Sequence, residues 1–163
     1  MQDDRPIRIA LTGPPGIGKS TLVRMLGAAT SLEYVDLEDF YMGPNDDLTE
    51  ELSSTYLLNR SPSIVGGAGF GVDWLKSFDL QVVVLVLNQS DYDDRREERD
   101  FTQPSKATQP HHSMSTWLAI NDVVRVEVSD FRRSMTVLSS LLSSPIDPAT
   151  LESLSKHYDN YHG

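Results

Sequence analysis

A short stretch near the N-terminus constrains the fold more than any other part of the chain. It matches the pattern G-x-x-x-x-G-K-[ST] at every fixed position. Residues 7–11 before it alternate and include β-branched side chains, as a strand does, and residues 21–29 after it carry apolar side chains at helical spacing. A strand, a glycine-rich turn and a helix in this order predict a loop that binds phosphate. The predicted loop comprises Gly13, Pro14, Pro15, Gly16, Ile17, Gly18, Lys19, Ser20 and Thr21.

The residue types in this loop suit phosphate chemistry. Glycine lets the backbone turn sharply and bring its N–H groups close to phosphate oxygens, and the following helix adds the positive end of its dipole. The ammonium of Lys19 can reach the β- and γ-phosphates of a nucleotide, and the hydroxyl of Ser20 can ligate Mg²⁺. The alternative is an ordinary Gly/Pro-rich turn. We favour a nucleotide-binding loop, because the flanking elements are the ones that it requires.

The composition limits the class of protein. With 163 residues, 39% of them hydrophobic, the chain suits one domain over 1–163. It has no apolar run of transmembrane length, no signal-peptide pattern at the N-terminus and no cysteine, so we expect a cytoplasmic protein with no membrane partner. The net charge of −10 disfavours a broad nucleic-acid surface, although one exposed nucleotide could still enter a cleft.

The strongest strand pattern, residues 80–87, is apolar with no alternation, which is typical of a strand covered by helices on both faces. Shorter strand patterns occupy residues 33–37, 63–65 and 123–128. Helical patterns occupy residues 46–59, 72–76 and 91–100, and two more follow residue 131. This alternation predicts an α/β fold, a three-layer doubly wound sandwich with a five-stranded, mainly parallel sheet.

Polar residues and glycines follow two of the predicted strands. Asp36, Glu38 and Asp39 stand at the end of the second strand, and parallel strands bring such ends to the edge of the sheet that carries the phosphate-binding loop. Asp39 can be a catalytic acid, a helix cap or a solvated acid. The glycine-rich turn at residues 66–71 can line a ligand or form a flexible surface connection, and the sequence leaves both interpretations open.

The charged helix at residues 91–100 places Arg95 and Arg99 on one face, four residues apart. It can be a solvated helix held by its own acid–base pairs, or it can border the active edge of the sheet. With the irregular segment that follows, it forms a predicted lid at about 95–115. Two adjacent histidines in this segment have no further metal-ligating residues at a fitting spacing, so we interpret them as loop histidines.

The order of these elements resembles that of the small P-loop kinases, such as shikimate kinase and the nucleoside monophosphate kinases. The resemblance covers about residues 6–144 and is most specific at the phosphate-binding loop. Asp36-Leu37-Glu38 stands where shikimate kinases have an Asp-x-Asp pair that serves the metal and the substrate hydroxyl. Asp39-Phe40-Tyr41 is similar to the Asp-Phe-Tyr segment of uridine-kinase-like enzymes, in which the acid lies by the acceptor hydroxyl.

Other residues extend the resemblance. Gly66 and Gly67 belong to a Gly-Gly-Ala-Gly turn that is similar to the glycine turn bordering the acceptor in shikimate kinases. Arg95 and Arg99 stand where these families have lid-arm arginines that bind the transferring phosphate. Arg60 is the one candidate for a substrate-clamping arginine ahead of the glycine turn. The acceptor is therefore left open.

The resemblance implies an enzyme that moves the γ-phosphoryl group of ATP to a hydroxyl or phosphate of a small acceptor, such as a nucleoside, a nucleotide or a small alcohol. Its cofactors would be ATP and Mg²⁺. The implied catalytic residues are Lys19, Asp36, Asp39, Arg95 and Arg99, with Asp36 or Asp39 as the base and one of the two arginines stabilising the moving phosphoryl group. The implied metal ligands are Ser20 and Asp36. The implied substrate-binding residues are Glu38, Arg60, Gly66 and Gly67.

Two alternative functions remain at this point. Asn88-Gln89-Ser90-Asp91 resembles the guanine-reading Asn-Lys-x-Asp motif of GTPase switches, with Gln in place of Lys, although no convincing Asp-x-x-Gly switch motif ends a strand. An ATPase, or a kinase that acts on a macromolecular acceptor including a nucleic acid, is the other alternative.

Overall fold

In the computed structural model, which describes residues 6–67, 69–102, 104 and 114–162, five parallel strands form one sheet. The strands are β1 (Ile9–Thr12), β2 (Tyr34–Asp36), β3 (Ile64–Gly66), β4 (Gln81–Val86) and β5 (Val124–Glu127). Their order is β2-β3-β1-β4-β5, so β1 lies in the centre, and every pairing is parallel. The predicted α/β doubly wound fold is confirmed, with a sheet that is wholly parallel.

Helices cover both faces of this sheet. They are α1 (Lys19–Thr30), α2 (Asp46–Arg60), α3 (Val72–Lys76), α4 (Gln89–Thr102), α5 (Met114–Leu118), α6 (Phe131–Leu141) and α7 (Pro148–His162), with a 3₁₀ helix at Leu37–Phe40. α1 contacts α6 and α7, whereas α3 and α5 contact β4. Among the described residues, no helix is long and apolar enough to cross a membrane.

The hydrophobic core is built around β4, the strand with the strongest pattern in the sequence. Val82, Val83, Val84, Leu85 and Val86 of β4 are all buried, because helices lie on both sides of the strand. Burying a side chain of this size contributes about 2 kcal/mol, so the strand supplies a large share of the driving force for folding. The absence of alternation in the sequence is thus explained by burial on both faces.

Several local elements differ from the prediction. The strand predicted at 33–37 ends at Asp36, because the Asp36 carboxylate accepts the backbone N–H of Glu38 and starts the 3₁₀ helix. The charged helix begins earlier than predicted, because the Asn88 side chain accepts the N–H of Asp91 at 2.8 Å. Helix α5 was not predicted at all. Of the predicted lid, residue 103 and residues 105–113, with His111 and His112, lie outside the described residues.

A close contact joins α1 to β2. A β-carbon at Gly27 of α1 would lie 2.7 Å from Cγ of Tyr34, so the aromatic ring occupies the place of a side chain on the helix. A real β-carbon contact is never that short, and the ring or the helix would have to move. Gly27 therefore sets how closely α1 approaches β2.

We expect Gly27→Ala to lower the free energy of unfolding by about 1–3 kcal/mol, because the new methyl group overpacks against Tyr34. Alanine is intrinsically the better helix former by about 1 kcal/mol, so the sign of the change separates packing from propensity. Urea unfolding measures the effect. In a Tyr34→Ala background the same substitution should become stabilising. Stabilisation by Gly27→Ala with Tyr34 in place would contradict the contact.

Candidate active site

The loop between β1 and α1 leaves backbone N–H groups available to an anion. Gly16 (φ 85°) and Gly18 (φ 103°) adopt the left-handed conformation that glycine tolerates without strain. Gly18 is the residue before α1, and because it has no side chain it cannot accept a hydrogen bond from the amides in the first turn of α1. No acidic residue stands in that turn. These amides and the positive end of the helix dipole are the elements that bind phosphate.

Lys19 opens α1 and reaches back over the loop. Its Nζ donates a 2.8 Å hydrogen bond to the carbonyl oxygen of Gly13. Burial lowers the pKa of Lys19 from 10.5 to about 8, while Glu38 and Asp36 oppose this effect and Arg99 adds to it. The ammonium group therefore lies where its charge is disfavoured, and a bound anion would favour the charge again.

Ser20 contacts one of two linked carboxylates at and after the end of β2. The Ser20 hydroxyl donates to Oε2 of Glu38 at 3.2 Å. Asp36 is only 5% exposed, and its Oδ1 accepts the backbone N–H of Glu38 at 3.1 Å. The predicted metal ligands Ser20 and Asp36 are thus linked through Glu38, which the sequence analysis assigned to the substrate.

This donor set fits Mg²⁺. A hydroxyl and two carboxylates are hard oxygen ligands, which Mg²⁺ prefers. Across the described ranges, no group of three or more His, Cys, Asp or Glu side chains could hold a metal ion by itself. A magnesium ion here would therefore take its remaining ligands from phosphate and water, which is its usual mode with nucleotides.

One face of α4 lies against the phosphate-binding loop. Tyr92, Arg95, Arg96 and Arg99 form this face, at the spacing of three and four residues that aligns side chains on a helix. A β-carbon at Gly16 would lie 3.5 Å from Nη1 of Arg99 and 3.6 Å from Cδ of Arg96. The sequence analysis selected Arg95 and Arg99 but missed Tyr92 and Arg96, although the helical period from Arg99 points to both.

A single carboxylate holds two of these arginines. Nε of Arg96 lies 3.4 Å from Asp100, and Nη2 of Arg99 lies 3.2 Å from it. The side chains of Arg96 and Arg99 are only 4% and 13% exposed. Asp100 therefore balances part of the positive charge beside the loop and restricts both guanidinium groups.

Arg95 contacts the backbone of the loop. Its Nη1 donates to the carbonyl oxygen of Ile17 at 3.1 Å, and its Nη2 donates to that of Val128 at 2.9 Å. The two predicted arginines thus occupy different places. Arg99 lies beside Gly16, and Arg95 joins the loop to the chain beyond β5.

The two predicted glycines, Gly66 at the end of β3 and Gly67 directly after it, are packed closely. A β-carbon at Gly66 would lie 3.2 Å from Oδ1 of Asp36, so Gly66 borders that carboxylate. Gly67 donates its N–H to the carbonyl oxygen of Leu11 at 2.8 Å, and a β-carbon there would lie 3.0 Å from Leu75. Both glycines are explained by packing, and Gly66 also belongs to the edge that carries the acids.

Two other predicted residues lie apart from this group. Asp39 forms an ion pair with Arg24 at 3.6 Å, and both side chains are more than half exposed, at 63% and 60%. Arg60 ends α2 and pairs at 3.3 Å with Glu33, which precedes β2. Since the phosphate-binding loop follows the end of β1, Arg60 lies at the opposite edge of the sheet.

The Asn88–Asp91 stretch forms the start of α4. The Asn88 side chain accepts the N–H of Asp91 at 2.8 Å and donates to the Asp91 carboxylate, also at 2.8 Å. This reciprocal pair is a helix cap. The side chains that would read a guanine base in a GTPase are therefore bonded to each other here.

Comparisons with known proteins identify the fold. The sequence matches no protein-family model and no curated protein. A gluconokinase from Sinorhizobium meliloti 1021 aligns with a TM-score of 0.50 and 15% identity over 97% of this chain and 98% of its own. A shikimate kinase from Aquifex aeolicus VF5 aligns with a TM-score of 0.54 and 15% identity over 83% of this chain and 96% of its own. The chain has the fold of the small P-loop kinases.

This P-loop kinase fold also occurs in an enzyme of another class. A mouse sulfotransferase complexed with PAP aligns with a TM-score of 0.57 and 12% identity over 94% of this chain and 64% of its own. At such identities the likeness establishes the architecture alone. The reaction has to be argued from the residues at the site.

We expect the pKa of Lys19 to respond to its charged neighbours in opposite directions. Glu38→Gln should lower it below 8, because the substitution removes an attractive charge, and Arg99→Gln should raise it, because it removes a repulsive one. NMR titration of ¹³C-lysine-labelled protein measures both shifts, and the chain has only four lysines to assign. Glu152→Gln on α7 is the control and should leave the titration unchanged. A pKa of Lys19 that ignores both substitutions would contradict the arrangement.

Proposed function

We propose that the protein is a phosphotransferase that moves the γ-phosphoryl group of ATP to a hydroxyl or phosphate of a small acceptor. The observation that carries the proposal is the gathering of Lys19, Ser20 and Arg99 with the acids of β2 around the loop. Phosphoryl transfer requires positioning and charge stabilisation more than covalent chemistry, and this set supplies both.

The loop and α1 would hold the nucleotide. The backbone N–H groups of Gly16, Gly18 and the first turn of α1 would bind the phosphates, and Lys19 would leave the Gly13 carbonyl to pair with them. Mg²⁺, when bound, would offset charge on the phosphates, and Ser20, Asp36 and Glu38 are the side chains placed to hold it directly or through water. The base specificity, ATP rather than GTP, rests on the family resemblance.

Asp36 is the stronger candidate for the base that orients the acceptor hydroxyl. It is buried and borders Gly66, and its Oδ1 is fixed by the N–H of Glu38. Asp39 is exposed and pairs with Arg24, so water screens its charge. Arg99 would stabilise the charge that spreads over the moving phosphoryl group, since it lies beside Gly16 and Arg95 is bonded to carbonyl groups.

The rival functions have less support in the structure. A GTPase switch would need Asn88 and Asp91 to face a base, whereas they cap α4. A macromolecular acceptor would need a large complementary surface, and a nucleic acid would need a basic one, while the chain carries a net charge of −10. We therefore propose a nucleoside triphosphate and a small molecule as partners.

Asp36→Asn should lower kcat/KM for acceptor-dependent ATP consumption by about 100-fold or more, because it removes the buried base at unchanged size. Asp39→Asn should lower it by less than about threefold, because an exposed ion pair contributes little. Steady-state kinetics of the two matched variants, with circular dichroism to confirm folding, measure the difference. A larger loss in Asp39→Asn would transfer the role of base to Asp39.

The function itself is tested by Mg²⁺-dependent consumption of ATP and of GTP, with and without pools of nucleosides, nucleotides, sugars and other small alcohols. ATP consumption should rise with one acceptor and fall by about 100-fold or more in Lys19→Ala, because the phosphates lose their main cation. Lys76→Ala, which removes an exposed lysine of α3, is the matched control. Slow turnover of GTP alone, unaffected by every acceptor, would favour the switch and refute the kinase.

A further inference from the structure

Two side chains of helix α4 donate hydrogen bonds to backbone carbonyl groups of the phosphate-binding loop. The phenol of Tyr92, which is fully buried, donates to the carbonyl oxygen of Pro15 at 2.8 Å. The guanidinium of Arg95 donates to the carbonyl oxygen of Ile17 at 3.1 Å and to that of Val128 at 2.9 Å. Each bond ends on the backbone, so neither side chain needs to touch a ligand to affect its binding.

Because a peptide is planar, these two contacts also fix the direction of two N–H groups. A trans peptide is planar, so its C=O and its N–H point in opposite directions. The carbonyl of Pro15 shares a peptide with the N–H of Gly16, and the carbonyl of Ile17 shares one with the N–H of Gly18. Holding both carbonyls against α4 therefore turns the N–H groups of Gly16 and Gly18 away from α4.

These are the peptides of the loop that most need such a restraint. Gly16 and Gly18 have positive φ values, and glycine also adopts negative ones readily, so a neighbouring peptide can flip at low cost. A flipped peptide would present a carbonyl oxygen to a phosphate and repel it. The N–H of Ile17 is already bonded to the carbonyl of Pro14 at 3.2 Å, whereas those of Gly16 and Gly18 meet no backbone acceptor within the described ranges.

We propose that Tyr92 and Arg95 are positioning residues that orient the amides of Gly16 and Gly18 for binding phosphate. The inference rests on the proposed function, because it assumes that the loop binds a phosphate chain. It changes the role of Arg95, which acts through the loop and through Val128 instead of on the moving phosphoryl group. The orientation of these amides affects only the binding of phosphate groups. The proposal therefore applies to any polyphosphate, with or without a nucleoside attached.

The test uses the full chain labelled with ¹⁵N-glycine and two probes, inorganic tripolyphosphate and ATP. Tyr92→Phe and Arg95→Met should each weaken binding of both probes about tenfold, since the first removes the hydrogen bond to Pro15 and the second removes the bonds to Ile17 and Val128. Tyr158→Phe, which removes a hydroxyl on α7, and Arg133→Met, which removes the same charge from the surface of α6, are the matched controls. Thermal unfolding establishes that every variant is folded at the temperature of the titration.

The response of single amides separates positioning from general loosening. In the wild-type protein, tripolyphosphate should shift the resonances of both Gly16 and Gly18. Tyr92→Phe should diminish the shift of Gly16 and retain that of Gly18, because it frees only the Pro15 carbonyl. Arg95→Met should do the reverse, because it frees the Ile17 carbonyl.

The results of this experiment distinguish failure of the inference from failure of the proposed function. Peptide-specific losses with about tenfold weaker binding would support the inference. Unchanged binding in both variants, or equal losses at both glycines in each, would overturn the inference and leave the proposed function standing. Failure of the wild-type protein to bind either probe would overturn the proposed function, and the inference with it.

Discussion

The parallel pairing of β1 with both β3 and β4 is the interaction on which the rest of the site depends. In this register Leu11 lies opposite Gly66, and Asp36 of β2 lies opposite the same glycine. Parallel strands need a crossover between them, so their carboxyl ends gather at one edge of the sheet. The loop after β1, the acids after β2 and the glycine turn after β3 meet there, although they are far apart in the chain.

Burial of Lys19 at this edge of the sheet has an electrostatic cost, which the neighbouring acids only partly offset. Its pKa falls from 10.5 to about 8, mainly by burial, so the native state carries the ammonium at a cost of roughly 3 kcal/mol at neutral pH. The sign follows from proton binding. The cost is complete below pH 8 and disappears as the pH rises toward 10.5, because the unfolded chain then binds more protons than the native state. A bound polyphosphate would remove the cost, which is the usual reason for such a group at a functional site.

Much of the fold could be predicted, because its signals are local. The apolar run of β4 and the alternation of β5 predict strands from neighbouring residues, and the structure confirms both elements. The 3₁₀ helix was missed because a single side-chain cap starts it without a periodic pattern, and α5 was missed because its start depends on a residue distant in the chain. The Asp36 carboxylate starts the first by binding the N–H of Glu38, and the start of the second is fixed by Gln89, whose side chain accepts the N–H of Met114 at 2.9 Å.

The sequence by itself predicted a phosphate-binding loop at residues 13–21, because glycines, a lysine and a hydroxyl at fixed spacing within one short stretch are enough to indicate it. It also determined the class of the sheet, through burial of β4 on both faces. The tertiary structure alone decided which distant groups join the loop. It brings Glu38 into hydrogen-bond contact with Ser20 and Arg95 into contact with the Ile17 carbonyl. It leaves Arg60 at the edge of the sheet opposite the loop. The physical reason is the order of the strands in the sheet, because that order sets which strand ends become neighbours. The periodicity of residues along the chain does not encode it.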